Sequence, residues 1–242
     1  MFSAQIVRFT VTINMNLGKN IDNSTLGDVL YFHHPSTMLI AGPTGSGKTH
    51  FLTRLLKHNL FSPSPDKIIW VYGEKQALHD EMAATLQVPI EFSSDFDDNI
   101  YDSIDGSQKV VVILDDQMMN DSVRKKDNLA KYLTQGSHHR NMSIIYLVQN
   151  VFDKAKSMRT ISLNSQYLVV FKNPRDMQQI TSLASQMYGT NSQVLKAAFR
   201  DATAKPHRYL LVDLRQETPD NMRLRTNIFP DDADRVVIYV PI

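Results

Sequence analysis

The 242-residue chain contains no cysteine. Disulfides and thiolate metal sites are therefore excluded, although a cysteine-free chain is compatible with a reducing or an oxidising compartment. An excess of either charge is also missing, since 26 Lys and Arg stand against 25 Asp and Glu for a formal net charge of +1. The chain as a whole does not attract nucleic acid or an anionic membrane, so any such contact has to come from a local patch. No apolar run approaches the roughly 18 residues of a membrane span, and the N-terminus lacks a charged region followed by a continuous apolar segment. A soluble protein is expected. Internal repeats and low-complexity tracts are lacking too. What remains is 42% hydrophobic sequence, enough for one sizeable core, and one domain is the first expectation.

Against this background one stretch stands out. "AGPTGSGKTH" (residues 41–50) fits G-x-x-x-x-G-K-[ST], with Gly42 opening the loop and Gly47, Lys48 and Thr49 closing it. Gly42, Gly45 and Gly47 let the backbone turn where a Cβ would clash, so that successive N–H groups point inward around a phosphate. Pro43, Thr44, Ser46 and His50 complete the expected lining. Lys48 adds a point charge near the β- and γ-phosphates, and the Thr49 hydroxyl can hold Mg²⁺. The flanks agree with the motif. "STMLI" before it reads as a buried strand, while Phe51, Leu52, Leu55, Leu56 and Leu60 after it follow helical spacing. The N-terminus of that helix adds its partial positive charge to the site.

Further along, "KIIWVYGE" (67–74) reads as a strand and 76–86 as a short helix. "KVVVILDDQMM" has a continuous apolar core over Val110 to Leu114, as in a strand covered on both faces. "NLAKYLTQGSHHR" suggests a helix, "SIIYLVQN" a second buried strand, and "QYLVVFKN" and "RYLLVDL" continue the series around the helical "RDMQQITSLASQMY". "FSPSPDK" (61–67) and "FSSDFDDNIYDSIDGSQK" (92–109) read as loops from their Pro, Ser, Asp and Gly content. This alternation predicts an α/β protein with a central, mostly parallel sheet and helices on both faces.

Asp115 and Asp116 end a buried strand, where an open α/β sheet places its ligand crevice. One carboxylate there can hold Mg²⁺, and a second can orient or deprotonate an attacking water. The second acid is an aspartate, one methylene shorter than glutamate, so either Asp116 or Glu74, at the end of the neighbouring strand, serves the water. Gln149 ends the following strand and can sense the γ-phosphate through its amide. Arg140 precedes that strand and so lies at the opposite rim. It and Arg159 are the two candidates for an arginine supplied in trans to a neighbour's nucleotide. The histidine pairs 33–34 and 138–139 do not read as metal sites, because adjacent residues of a strand point to opposite faces. The basic run 124–131 reads as a solvated helix face or, in a ring, as a patch for DNA phosphates.

The acidic pair ends the second strand after the phosphate loop, with "KIIWVY" intervening, and this arrangement resembles the additional-strand division of P-loop NTPases that holds RecA-like, AAA+ and FtsK–HerA motors. Together with "HPSTMLIAGPTGSGKTHF", "VVVILDDQMM", "HHRNMSIIYLVQNVF", "VVFKNPRDMQQITSLASQMY" and "YLLVDLRQETPDNMRLRTNIFP", the chain resembles the FtsK–HerA-type genome-packaging ATPases of double-stranded DNA viruses, most of all the short poxvirus-type ATPases of adintoviruses and Polinton elements. The resemblance runs from about Phe32 to Pro230. It implies an ATP- and Mg²⁺-dependent translocase that forms a hexameric or pentameric ring and threads double-stranded DNA into a viral capsid, in host cytoplasm or nucleus or with the virion. On the family pattern Lys48 and Thr49 bind phosphate and Mg²⁺, Asp115 and Asp116 form the Walker B pair, and Gln149 is the sensor. No counterpart of the nuclease domain of tailed-phage large terminases is expected. A small-substrate kinase and a nucleotide-binding scaffold with weakened catalysis are the competing classes; the first lacks a compact Arg-rich lid in this sequence, and the second draws on the Asp116 departure. Residues 1–31 are expected to form an extension to an ATPase domain over 32–242. Its alternating segment, from Ala4 to Met15, is expected to pair with the parent sheet or with a neighbouring subunit, and the C-terminal "RVVIYVPI" is expected as an edge or inter-subunit strand, with Pro241 confining it to an edge.

Overall fold

Strands without polar alternation need cover on both faces, and that requirement organises the molecule. The structure is a computed structural model describing residues 6–11, 31–73, 77–94, 96, 98–115, 140–152, 161–232 and 236–241. In chain order its elements are β1 (Ile6–Val11), β2 (Phe32–His33), β3 (Thr37–Ala41), α1 (Lys48–Lys57), β4 (Phe61–Ser62), β5 (Lys67–Val71), α2 (Ala77–Thr85), β6 (Ile90–Ser93), α3 (Asp98–Ser103), β7 (Val110–Asp115), β8 (Met142–Val148), β9 (Tyr167–Phe171), α4 (Gln178–Tyr188), α5 (Gln193–Ala202), β10 (Tyr209–Asp213), β11 (Leu224–Thr226) and β12 (Val236–Pro241). One 10-stranded sheet has the order β1-β12-β11-β10-β9-β3-β8-β7-β5-β6, and β2 and β4 form a separate parallel pair. From β9 to β6 the neighbours are parallel. Beyond β9 every pairing is antiparallel.

The alternation of side chains along each strand divides the core between the two faces. Met38 and Ile40 of β3 pack in one cluster with Phe51, Leu52, Leu55 and Leu56 of α1. Leu39 and Ala41 pack in the other, with Ile180, Leu183 and Ala184 of α4 and Val194, Leu195, Ala198 and Phe199 of α5. Strands β7 and β8 split in the same way, with Val112 and Ile144 on the second face and Ile113 and Ile145 on the first. The expected α/β sheet with helices on both faces is therefore the observed one.

Several expectations need correction. The segments read as loops hold β4, the last residues of β6 and all of α3; polar composition marks solvent exposure and does not exclude short elements. As expected, β5 intervenes in sequence between β3 and β7, but β4 and β6 do so as well, and in space the strand between β3 and β7 is β8. The final strand is not an edge: β12 lies between β11 and β1, and Pro241 is tolerated because it stands at the last ladder position, opposite Ile6. β1 joins this chain's own sheet. The helix expected from Asn128 to near Gly136 lies outside the described residues.

His33 is exposed and His34 buried. Nδ1 of His34 is 2.6 Å from Ser143 Oγ and Nε2 is 3.0 Å from the Asn141 carbonyl oxygen, so the ring ties the β2–β3 linker to β8. Burial lowers its pKa. His138 and His139 lie outside the described residues. Among the described residues no helix is long and apolar enough to cross a membrane.

Candidate nucleotide-binding site

The phosphate loop is built by the end of β3. Gly42 N–H still donates to the Val148 carbonyl (3.1 Å), and from there the chain turns out of the sheet. A Cβ on Gly42 would lie 2.6 Å from Ser46 Oγ and 2.7 Å from Phe171 Cβ, so the first glycine is required by close packing against β9. Gly45 and Gly47 have φ of 76° and 108°, the left-handed region where a side chain is strained. Gly47 also ends the loop as the residue before α1, and its carbonyl accepts the Phe51 N–H (2.9 Å). The N–H groups of the first helical turn have no intrahelical acceptor, and no acidic residue occupies that turn. These are the features of an anion cradle at a helix N-terminus.

Lys48 reaches back over the loop and donates from Nζ to the carbonyls of Gly42 (2.6 Å) and Pro43 (3.2 Å). Ser46 Oγ is buried and finds no hydrogen-bond partner among the described residues. A buried hydroxyl in that state costs free energy unless a ligand answers it. The helix N-terminus with its open N–H groups and this hydroxyl both fit a bound phosphate.

A cleft of about 610 Å³ opens over the loop, lined by residues 44–50 together with Asp115, Leu147, Gln149 and His207. Sheet register accounts for the convergence. Asp115 stands opposite Leu147, Leu147 opposite Ile40, and Val148 opposite Ala41, so the carboxyl ends of β7, β8 and β3 are level and Gln149 leaves β8 beside the loop. Thr49 and Asp115, the two proposed Mg²⁺ contacts, face the same space. That pair suits Mg²⁺, which takes one or two protein oxygens and fills its octahedron with phosphates and water. Among the described residues no group of three or more His, Cys, Asp or Glu is placed to hold a metal ion by itself.

Arg140 is not brought to this cleft. It precedes β8, at the amino end of the strand, where its guanidinium donates to the carbonyls of Tyr101 (2.5 Å) and Ile104 (3.1 Å) and to Asp102 Oδ1 (3.3 Å). It also lies 4.0 Å from the Tyr101 ring centroid. In this position it caps the C-terminal end of α3, where a cation meets the negative end of the helix dipole. Glu74, Asp116, Arg159 and the basic run 124–131 lie outside the described residues.

Two lining residues were not foreseen. Leu147 is an ordinary apolar strand residue. His207 comes from the connection between α5 and β10, has φ of 59°, and places Nδ1 3.4 Å from the Ser46 carbonyl oxygen. Its position depends on β10 turning antiparallel beside β9, which no local motif announces. A second cavity of about 310 Å³ shares Gly45, Ser46 and His207 with the first and continues toward Lys172, Pro174 and Lys205.

The fold and the loop together have the architecture of P-loop NTPases of the RecA-like, additional-strand type. No protein-family model and no curated protein matches the chain. Among solved structures it is similar to the genome packaging NTPase B204 from Sulfolobus turreted icosahedral virus 2 in complex with sulfate, at 14% identity and a TM-score of 0.51, over 76% of this chain and 94% of that one. The same viral NTPase in complex with AMPPCP aligns at 16% identity and a TM-score of 0.48, over 76% and 94% of the two chains. The flagellar accessory protein FlaH from Methanocaldococcus jannaschii aligns at 14% identity and a TM-score of 0.41, over 65% and 82%.

Proposed function

We propose that the chain is an ATP-hydrolysing translocase that works as a hexameric or pentameric ring and packages double-stranded DNA into a viral capsid. The observation that carries the hydrolytic part is the convergence of the phosphate loop, Asp115 and Gln149 on one 610 Å³ cleft at the level ends of three adjacent strands. The packaging part is supported by the resemblance over Phe32 to Pro230 and by the fold likeness to a viral genome packaging NTPase.

In this reading the backbone N–H groups of residues 44–50 and the Lys48 ammonium hold the phosphates of ATP and offset the charge that builds during phosphoryl transfer. Thr49 and Asp115 hold Mg²⁺, which when bound supplies further charge neutralisation. Gln149 orients the water, and Asp116 or Glu74 accepts its proton. Since the transferred phosphoryl faces Asp115 and Gln149, the nucleoside leaves the cradle on its other flank, toward His207 and Lys172. An arginine from a neighbouring subunit, Arg159 or Arg140, completes the charge; Arg140 has to release its cap on α3 to do so.

Measuring ATP turnover of the purified chain with and without duplex DNA, alongside its mass in solution with ATP, tests the proposal. Turnover that rises several-fold with DNA in a ring-sized particle is expected. A monomer whose rate ignores DNA sinks the motor, and phosphate appearing on an added small acceptor identifies a kinase.

The choice of water partner is decided by two substitutions. Asp116→Asn is expected to keep nucleotide binding while turnover falls by about 10²–10⁴-fold, the usual worth of a general base. Glu74→Gln carries that loss instead if the base is on the neighbouring strand, and full turnover in both leaves the water without a carboxylate.

A further inference from the structure

Gln149 leaves β8 in a turn, and that turn is held from the far side of the phosphate loop. Val151, two residues on and buried, donates its N–H to Gln179 Oε1 (3.1 Å). Gln179 is the second residue of α4, and its Nε2 donates in turn to the Asp176 carbonyl (3.0 Å). One residue after Gln149, Asn150 Oδ1 accepts from Asn173 Nδ2 (3.3 Å), while Asn173 Oδ1 accepts the Arg175 N–H (3.1 Å). The connection after β9 and the first turn of α4 therefore grip the turn after β8 at two successive residues.

The sheet order makes this grip unusual. Between β9 and β8 lies β3, so the two contacts join second-neighbour strands, about 9–10 Å apart at ordinary sheet spacing. They cross the point at which β3 runs out into the phosphate loop. The connection is itself stiff at this place, since Asp176 N–H donates to the Asn173 carbonyl (3.2 Å) and Asp176 Oδ1 accepts the Gln178 N–H (3.2 Å).

Gln179 is also out of character with its helix face. It is 5% exposed and precedes the buried Ile180, Leu183 and Ala184, where an apolar side chain would gain burial at no polar cost. A buried amide is tolerated there because both of its ends are satisfied. What its acceptor fixes is the backbone of the residue two places beyond Gln149.

We propose that Gln179 and Asn173 are positioning residues for Gln149: an amide clamp that spans the root of the phosphate loop and sets the direction of the Gln149 side chain in the cleft. The clamp also connects the two flanks of the cradle, because Lys172 and Pro174, which adjoin Asn173, line the smaller cavity. The inference rests on the reading in which Gln149 orients the attacking water.

The test is steady-state ATP hydrolysis by the full chain for Gln149→Ala, Gln179→Met, Asn173→Ala and the doubles of each clamp variant with Gln149→Ala, with ATP affinity measured separately. Asn173 is half-buried and its truncation leaves the core untouched, so it decides the matter if Gln179→Met fails to fold. Misplacing a catalytic group by about 1 Å costs up to about 10²-fold. A fall in kcat of about tenfold or more is expected in each clamp variant, with ATP affinity unchanged and no additional loss in the doubles. Clamp losses that multiply with that of Gln149→Ala overturn the inference, because the clamp then acts through something other than Gln149. Clamp variants at the wild-type rate beside a slow Gln149→Ala overturn it too and leave the sensor role standing. A Gln149→Ala chain at the wild-type rate removes the sensor role, and the clamp goes with it.

Discussion

Lys48→Ala is expected to lower ATP turnover by at least about 10²–10³-fold, the loss seen when a single preorganised charge or donor is removed from a transition state. The half-buried lysine lines the cleft. Its ammonium sits at the cleft and donates to the Gly42 and Pro43 carbonyls, which water can serve in its place. Position 48 begins α1, and alanine is a good helix former, so the melting temperature should hold. Phosphate release and a thermal melt of the same preparation check the two halves of the claim. Hydrolysis at the wild-type rate by a folded Lys48→Ala chain contradicts the phosphate-loop assignment. Gly42→Ala is a harsher change of the same loop, because its Cβ would meet Phe171 Cβ at 2.7 Å and the loop would have to move.

How legible the site was depended on whether each residue's position is set locally. The loop 41–50 is a local object: glycines at fixed offsets between an apolar run and a helical pattern specify its geometry without help from the rest of the chain. Asp115 and Gln149 were legible because continuous apolar runs such as Val110 to Leu114 read as doubly covered strands, and the carboxyl ends of such strands meet at the ligand crevice. His207 was not legible. It reaches the loop only because β10 reverses beside β9, with Tyr209 opposite Phe171, and a reversal is set by connection geometry and not by the strand's own residues. The clamp escaped for a related reason: Gln179 reads as one more polar residue in "RDMQQITS", and its partner at Val151 is 28 positions away. In the fold, α1 was legible from its helical repeat at Phe51, Leu52, Leu55 and Leu56, whereas β4 and β11 are two and three residues long, too short for any period to register.

Asp213→Asn is expected to destabilise the fold by about 3–5 kcal/mol, the cost of removing one partner from a buried ion pair. That is a large share of the roughly 5–15 kcal/mol that holds a domain together. Asp213 ends β10, opposite Tyr167 at the start of β9, and so lies at the rim of the sheet away from the nucleotide cleft. Its carboxylate is 0% exposed and accepts from Arg215 Nε (3.1 Å) and Nη2 (3.0 Å) and from Arg225 Nη2 (2.6 Å). Arg225 is 2% exposed and Arg215 6%, so the amide would remove the carboxylate charge that both buried guanidiniums contact. Burial alone would push the Asp213 pKa up, but the Arg215 hydrogen bonds and the Arg225 charge outweigh it and bring the pKa below its ordinary 3.8. A carboxylate shifted in this direction contributes stability that is fully present above pH 3.8 and lost as the pH falls through the lower folded value. Denaturant midpoints should therefore differ widely between wild type and Asp213→Asn at pH 7 and draw together in strong acid. Equal midpoints at pH 7 would show that the two arginines are stable without their carboxylate, and the buried triad would then have no part in holding β10 and β11 to the sheet.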